Sequence, residues 1–188
     1  AGPEQFLKGT DRDAFEAMKT FFKRAGFNQA DLKNLTAAVT DYVQQGYSFE
    51  TISMLLQDTD AYKTRFKGLD DLRKKGEAMS PGEYVKLEST YKGLFRQYGL
   101  PKDMFDSNDD LTKYIVGGVS PNEMEQRILL AKKAVTSTDP AIRETYKAWY
   151  AQGLTEGDAI AAVLDPKKAL DKLDQKARSA AFGSTQAK

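Results

Sequence analysis

A short acidic run near the middle of the chain has residue types that bind cations. The five residues from Asp106 to Asp110 read Asp-Ser-Asn-Asp-Asp, and side-chain oxygens at such spacing are typical of calcium loops. A calcium loop of the EF-hand type also needs glycine at its sixth position and glutamate at its twelfth. Leu111 and Gly117 occupy those positions here. We therefore interpret the run as a helix start, capped by Asp106 and Ser107, with acids in its first turn.

A wider set of carboxylates has the residue types for acid–base cleavage of a glycosidic bond. It comprises Glu83, Glu88, Asp103 and Asp106. Such chemistry needs two carboxyl groups at a fixed separation, one of them with a raised pKa. Glu83 follows Ser80 by three residues, which is the spacing of a helix capping box and explains this acid without catalysis. A cell-wall hydrolase is therefore the least favoured function.

Composition narrows the chemistry further, because the 188 residues include no Cys and no His. Their absence excludes disulfides, thiolate and imidazole metal ligands, cysteine nucleophiles and Ser-His-Asp triads. Any catalysis would rest on Asp, Glu, Lys, Tyr or Ser. We therefore expect a protein that is not an enzyme, with no catalytic residue, no metal ligand and no cofactor.

The charges are nearly balanced, with 28 basic and 27 acidic residues and a formal net charge of +1. This balance gives no long-range attraction to nucleic acid or to an anionic membrane. No run approaches the roughly 20 apolar residues of a membrane-spanning helix, so no membrane span is expected.

Two local basic clusters stand out against this balance. The first is interleaved with aspartates, which predicts a solvated helix face, with nucleic-acid binding as the alternative. It comprises Lys63, Arg65, Lys67, Arg73, Lys74 and Lys75. The second lies near the C-terminus and provides candidate nucleic-acid contacts, whose affinity would depend strongly on salt. It comprises Lys167, Lys168, Lys172, Lys176 and Arg178.

The elements that carry these residues repeat along the chain. A hydroxyl residue followed three positions later by an acid marks a helix start at Thr10, Ser80 and Thr155, which lie 70 and 75 residues apart. Longer segments return at a similar step, 21–27 as 94–100 and 42–48 as 114–120. The sequence therefore predicts one helical unit used twice, with a third copy cut short. A start at Ala1 rather than Met predicts a chain that is processed, excised or missing its first residues, and the cut copy predicts a piece of a longer polypeptide.

Hydrophobic periodicity predicts an all-α fold. From Asp11 to Arg24 and from Gln29 to Gln45, apolar residues recur at three- and four-residue steps, which gives each helix one apolar face. No segment alternates as a strand would. We predict two tandem units of about four helices each, followed by the partial third. The predicted boundaries are 1–9 for an N-terminal extension, 10–79 for unit one, 80–154 for unit two, 155–174 for the partial unit and 175–188 for a disordered tail.

Further details of the helices follow from turn chemistry and ring positions. The helix after Ser120 is predicted to be about two turns longer than its counterpart after Ser48, and Gly68 is predicted to break or bend its helix. Five residues are predicted to begin helices: Ser48, Thr59, Ser107, Ser120 and Asp139.

Nine aromatic rings lie on or beside the apolar stripes. They are predicted to pack in the core, with a binding platform as the alternative: Tyr42, Tyr47, Tyr91, Phe95, Tyr98, Tyr114, Tyr146, Trp149 and Tyr150.

Part of the chain resembles virion proteins of tailed bacteriophages, which are helical. The resemblance extends roughly from Thr59 to Pro166. It rests on Ala61–Gly68, on Tyr98-Gly99-Leu100-Pro101, on Met104-Phe105-Asp106, on Asp109-Asp110-Leu111, on Tyr114-Ile115, on Val119–Glu123 and on Asp139-Pro140. The resemblance implies a structural role in the particle, as an internal ejected protein, a connector or tail component, or part of a larger polypeptide in such an assembly. It also implies localisation in the virion after synthesis in the host bacterial cytoplasm, and it implies no catalytic residues.

We therefore expect a structural virion component that acts through helix-mediated assembly. An incomplete third unit would leave an apolar face uncovered, and its candidate partner-contact residues are Ile160, Val163 and Leu164. The expected partners are other virion proteins or copies of the chain itself. The alternative function is a nucleic-acid-contacting accessory protein used in genome packaging or ejection.

Overall fold

A computed structural model of the chain describes residues 9–169 and 171, and within them it contains eleven helices and no strand. The all-α prediction is confirmed. The helices are α1 (Thr10–Arg24), α2 (Gln29–Gln44), α3 (Phe49–Gln57), α4 (Asp60–Arg65), α5 (Lys67–Lys74), α6 (Pro81–Gln97), α7 (Lys102–Phe105), α8 (Asn108–Val116), α9 (Pro121–Val135), α10 (Pro140–Ala151) and α11 (Glu156–Leu164). Apart from Gly9, the predicted N-terminal extension and the predicted tail 175–188 lie outside the described residues.

The chain divides into two compact units, one ending at Lys86 and the other beginning at Leu87. The division falls inside α6, whereas the sequence pattern places it at 79/80. The first turns of α6 belong to unit one because Tyr84 is fully buried there and meets the Phe66 ring edge-on at 6.0 Å. In this division α11, the start of the predicted partial third unit, falls within unit two.

Phe66 lies at the centre of the unit-one core. Its ring stacks with Phe21 at 6.3 Å and contacts Tyr62 at 4.9 Å and Phe27 at 5.9 Å. The Arg65 guanidinium lies 5.0 Å from the same ring, and its Nε donates to the Ala25 carbonyl at 2.5 Å. This arrangement joins the end of α1 to α4 through one aromatic cluster.

A second ring cluster fills the unit-two core. Phe95 of α6 contacts Phe105 of α7 at 6.0 Å and Tyr114 of α8 at 6.2 Å. Tyr91 is fully buried, and its hydroxyl donates to the Val119 carbonyl. The short helix α7, which has no counterpart in unit one, thereby supplies a ring to this core.

The helix starts follow the predicted turn chemistry at most positions. Two capping boxes hold the starts of α6 and α11, where Glu83 accepts from the Ser80 backbone N–H at 2.8 Å and Asp158 from that of Thr155 at 2.8 Å. The five other predicted starts are confirmed, each with a side chain that accepts a backbone N–H: Ser48, Thr59, Ser107, Ser120 and Asp139. Thr10 is the exception, because it lies inside α1 and the N-cap is Gly9, which has no side chain to accept a bond.

Two predictions about helix length have different outcomes. The prediction of a longer helix after Ser120 agrees with the structure, since α9 has 15 residues and α3 has nine. The predicted break at Gly68 is wrong in position. The backbone leaves helical geometry at Phe66, with φ −111° and ψ 32°, and Gly68 lies buried within α5. No described helix is both long enough and apolar enough to cross a lipid bilayer.

Candidate functional site

The three predicted partner-contact residues lie on α11, in different environments. Ile160 is fully buried, Val163 is 41% exposed and Leu164 is half-buried. Since α11 packs chiefly against α9, Ile160 is covered within unit two and contributes to its core. The uncovered part of the predicted face is therefore Val163 and part of Leu164, and their partner role stays a prediction.

Close backbone contact fixes the start of α11. A Cβ added at Gly157 would lie 1.8 Å from the Gly99 carbonyl oxygen, at the end of α6. Asp158 is 2% exposed and completes the capping box with Thr155. The start of α11 therefore packs tightly within unit two, and no side chain fits at Gly157.

The chain beyond α11 folds back onto α8. The helix ends at Asp165, whose carboxylate accepts the Lys168 backbone N–H at 3.1 Å, and residues 166–169 form another helical turn. The Lys168 ammonium pairs with Asp110 of α8, whose side chain is 16% exposed. Of the predicted nucleic-acid contacts, Lys167 is exposed and Lys168 is engaged in this ion pair. Three others lie outside the described residues: Lys172, Lys176 and Arg178.

A cavity of about 250 Å³ lies beside this turn, lined by Phe95, Phe105, Tyr114, Arg127 and Leu164 among others. Burial raises the pKa of Tyr114 to about 12, and the neighbouring carboxylates Asp110 and Asp165 add to the effect. The phenol therefore stays neutral at physiological pH, where it can act as a hydrogen-bond donor. The Arg127 guanidinium donates to the Glu123 carboxylate at 2.5 Å, so its charge is already paired at the edge of this cavity.

Of the carboxylates considered for hydrolysis, Glu83 forms a helix cap with Ser80. The pKa of Glu83 is lowered, first by the hydrogen bond from the Ser80 backbone N–H and then by that from the Ser80 hydroxyl. A general acid needs a raised pKa, so this shift has the wrong direction for that role. Glu88 is buried in the unit-two part of α6.

The acidic run that resembles a calcium loop forms the start of α8. The Ser107 hydroxyl accepts the Asp110 backbone N–H at 3.2 Å and donates to the Asp110 carboxylate at 2.6 Å. Among the side chains that the structure describes, no group of three or more carboxylates lies together as a metal site would need.

Three of the six basic residues between 63 and 75 pair with acids close by in the sequence, whereas Arg65 donates to the Ala25 carbonyl. Lys63 lies 3.7 Å from Asp58, and the three-residue pairs Arg73–Asp70 and Lys74–Asp71 measure 3.1 Å and 3.5 Å. This agrees with the interpretation of a solvated, locally paired helix face.

The largest departure from the sequence prediction is α10. None of its twelve residues is buried, so the predicted core position of Tyr146, Trp149 and Tyr150 is wrong. The three rings contact one another, at 5.9 Å for Tyr146–Trp149 and 6.4 Å for Tyr146–Tyr150. Phe105 of α7 and Ile160 of α11 lie in the unit-two core, whereas α10 packs mainly against α9.

An open groove of about 690 Å³ lies between α10 and the end of α9. We call it the α10 groove, and the lining residues used below are Thr136, Ser137, Arg143, Tyr146, Lys147 and Tyr150. Burial and the nearby Glu156 raise the pKa of Tyr150. The sequence does carry a signal for this surface, since two basic residues alternate with three rings over 143–150.

Comparisons with known proteins identify no relative. No protein-family model, no curated protein and no solved structure matches the chain. The resemblance to phage virion proteins therefore stays a prediction from the sequence.

Proposed function

We propose that the chain is a non-enzymatic structural component of a tailed-phage virion, in an internal, connector or tail position. It would act through helix-mediated assembly with other virion proteins or with copies of itself. The sequence resemblance between Thr59 and Pro166 supports the particle assignment, and the architecture of the two units supports the assembly role.

The observation that carries this proposal is that each unit is completed by the helix that starts the next copy of the repeat. The first turns of α6 bury Tyr84 in unit one, and α11 buries Ile160 in unit two. Repeat proteins of this kind gain stability by burying helix faces on neighbouring elements. The same physics extends to a neighbouring subunit wherever an apolar face is left open.

Open apolar positions of this kind occur on α9 and α11. Leu130 is 69% exposed beside the half-exposed Leu129, and Val163 is exposed on α11. Because single exposed leucines are common on protein surfaces, self-assembly has to be measured directly.

Light scattering at low and high protein concentration tests self-assembly. We expect the mass to rise with concentration, and we expect Leu130→Glu and Val163→Glu to lower it, because a carboxylate resists burial in an apolar contact. Gln126→Glu is the control, since it adds the same charge at an exposed polar position of α9. A monomer at every concentration would exclude self-assembly and leave only a different partner protein.

Mass spectrometry of purified particles tests the virion assignment. We expect the chain to be present in particles at a fixed ratio to the other structural proteins. Its absence from purified particles would overturn the assignment.

The second candidate function is nucleic-acid contact during packaging or ejection. Its specific support is the α10 groove, where rings and unburied cations lie together. The C-terminal cluster supports it less, because Lys168 is already paired with Asp110.

A further inference from the structure

The rings of α10 form a cluster outside the core of unit two. Tyr146 and Tyr150 lie with their planes 29° apart, and Trp149 meets Tyr146 at 75°. Tyr150 is 39% exposed, and Tyr146 and Trp149 are half-buried. Exposed ring faces are what a base needs for stacking, and stacking accepts any base because every base has a π-face.

Cations and hydroxyl groups line the same groove. Arg143 and Lys147 are exposed on α10, and Thr136 and Ser137 lie across the groove at the end of α9. Lys147 lies 3.8 Å from Glu144, with both side chains 77% exposed, so this ion pair is weak and open to exchange. A phosphate can therefore compete for both cations of α10.

The acids near the groove do not block a phosphate from Arg143 and Lys147. Glu156, the other acid that lines the groove, is paired with Lys132 at 3.4 Å. The groove lining carries two cations, Arg143 and Lys147, and two acids, Glu144 and Glu156. Because Lys132 pairs with Glu156, one net positive charge is left for an occupant. This favours an anionic occupant.

We propose that the α10 groove binds a short segment of single-stranded nucleic acid. Tyr146 and Tyr150 would stack with bases, while Arg143 and Lys147 would contact phosphates. A combination of rings, cations and hydroxyls distinguishes this groove from an aliphatic helix-docking groove. The proposal deepens the second candidate function and does not depend on the assembly role.

The test uses the full chain and a fluorescein-labelled oligothymidylate. Fluorescence anisotropy gives the affinity, and quenching of Trp149, the chain's only tryptophan, reports binding at α10. With two phosphate contacts, raising the salt from about 50 mM to about 200 mM should weaken binding about sevenfold. Arg143→Ala with Lys147→Ala should remove most of this salt dependence.

Matched variants separate the groove from general charge and ring effects. Tyr150→Leu should weaken binding at least about fivefold, whereas Tyr47→Leu, at an exposed ring in unit one, should not. Arg12→Ala with Lys33→Ala removes two exposed charges elsewhere and should leave the affinity nearly unchanged. Circular dichroism of each variant checks that it is folded.

Three results would overturn the proposal. The first is no binding at about 50 mM salt, which would also end the second candidate function. The second is binding that the α10 variants leave intact and that changes at Lys167, Lys172, Lys176 and Arg178 remove; this would keep the function and reject the groove. The third is α10-dependent binding to vesicles of anionic phospholipid without binding to the oligonucleotide.

Discussion

At the residue scale, two glycines at the same position of the repeat have different surroundings. Gly82 and Gly157 each lie two residues after the hydroxyl that starts a helix. An added Cβ at Gly82 meets no heavy atom within 4 Å, while at Gly157 it would overlap the carbonyl of Gly99. Glycine is therefore required for packing at only one of the two positions.

This difference predicts opposite effects of the same substitution. Gly157→Ala should lower the free energy of unfolding by about 1–3 kcal/mol or more, because α11 must move away from Gly99. Gly82→Ala should leave the stability unchanged or raise it by up to about 1 kcal/mol, since alanine favours a helix more than glycine does. Urea unfolding followed by circular dichroism measures both. Equal midpoints for the two variants would show that the close contact does not exist.

At the element scale, α11 is part of the unit-two core although the repeat marks it as the start of a third unit. It packs against α9, and the chain then turns at Asp165 so that Lys168 reaches Asp110. The open apolar surface on α11 is therefore limited to Val163 and part of Leu164.

Two substitutions on α11 test this placement. Ile160→Ala should cost about 2–5 kcal/mol, the usual effect of emptying a fully buried aliphatic site. Val163→Ala on the same helix should change stability by no more than about 0.5 kcal/mol, as at other exposed positions. Thermal or urea unfolding gives both values. Similar losses for the two variants would mean that α11 does not pack with Ile160 inside and Val163 outside.

Helix starts could be predicted from the sequence because capping is local. Ser48, Ser107 and Asp139 each accept a backbone N–H from two or three residues further along. Both partners of the hydrogen bond are therefore visible in a four-residue stretch of sequence. The prediction that Thr10 caps α1 was wrong, because α1 begins one residue earlier and its N-cap is Gly9.

The position of α10 could not be predicted in the same way. Its rings recur at helical spacing, as core residues do, and periodicity alone does not show which helix reaches the core first. Phe105 of α7 and Ile160 of α11 occupy the interior of unit two, so the rings of α10 stay outside. The α10 groove is thus a result of competition between helices, which only the packed structure reveals.

At the scale of the whole molecule, both units hold tyrosine hydroxyls in apolar surroundings. Burial raises the pKa of Tyr62 to about 12 in unit one. In unit two, burial is also the main cause that raises the pKa of Tyr91 and of Tyr114 to about 12. Both units therefore have stability that depends on the neutral phenol.

This dependence predicts that the protein loses stability at alkaline pH. An unfolded tyrosine ionises near pH 10 while these three ionise near pH 12 in the fold, so between these values the unfolded state binds fewer protons. Stability should be fully present below pH 10 and should fall as the pH rises toward 12. Urea midpoints across this range, with phenolate absorbance recorded in parallel, measure the effect. Tyr62→Phe should flatten the loss in unit one, whereas Tyr47→Phe, at an exposed ring, should not. Midpoints that stay constant from pH 9 to pH 12 in the wild type would contradict the buried position of these hydroxyls.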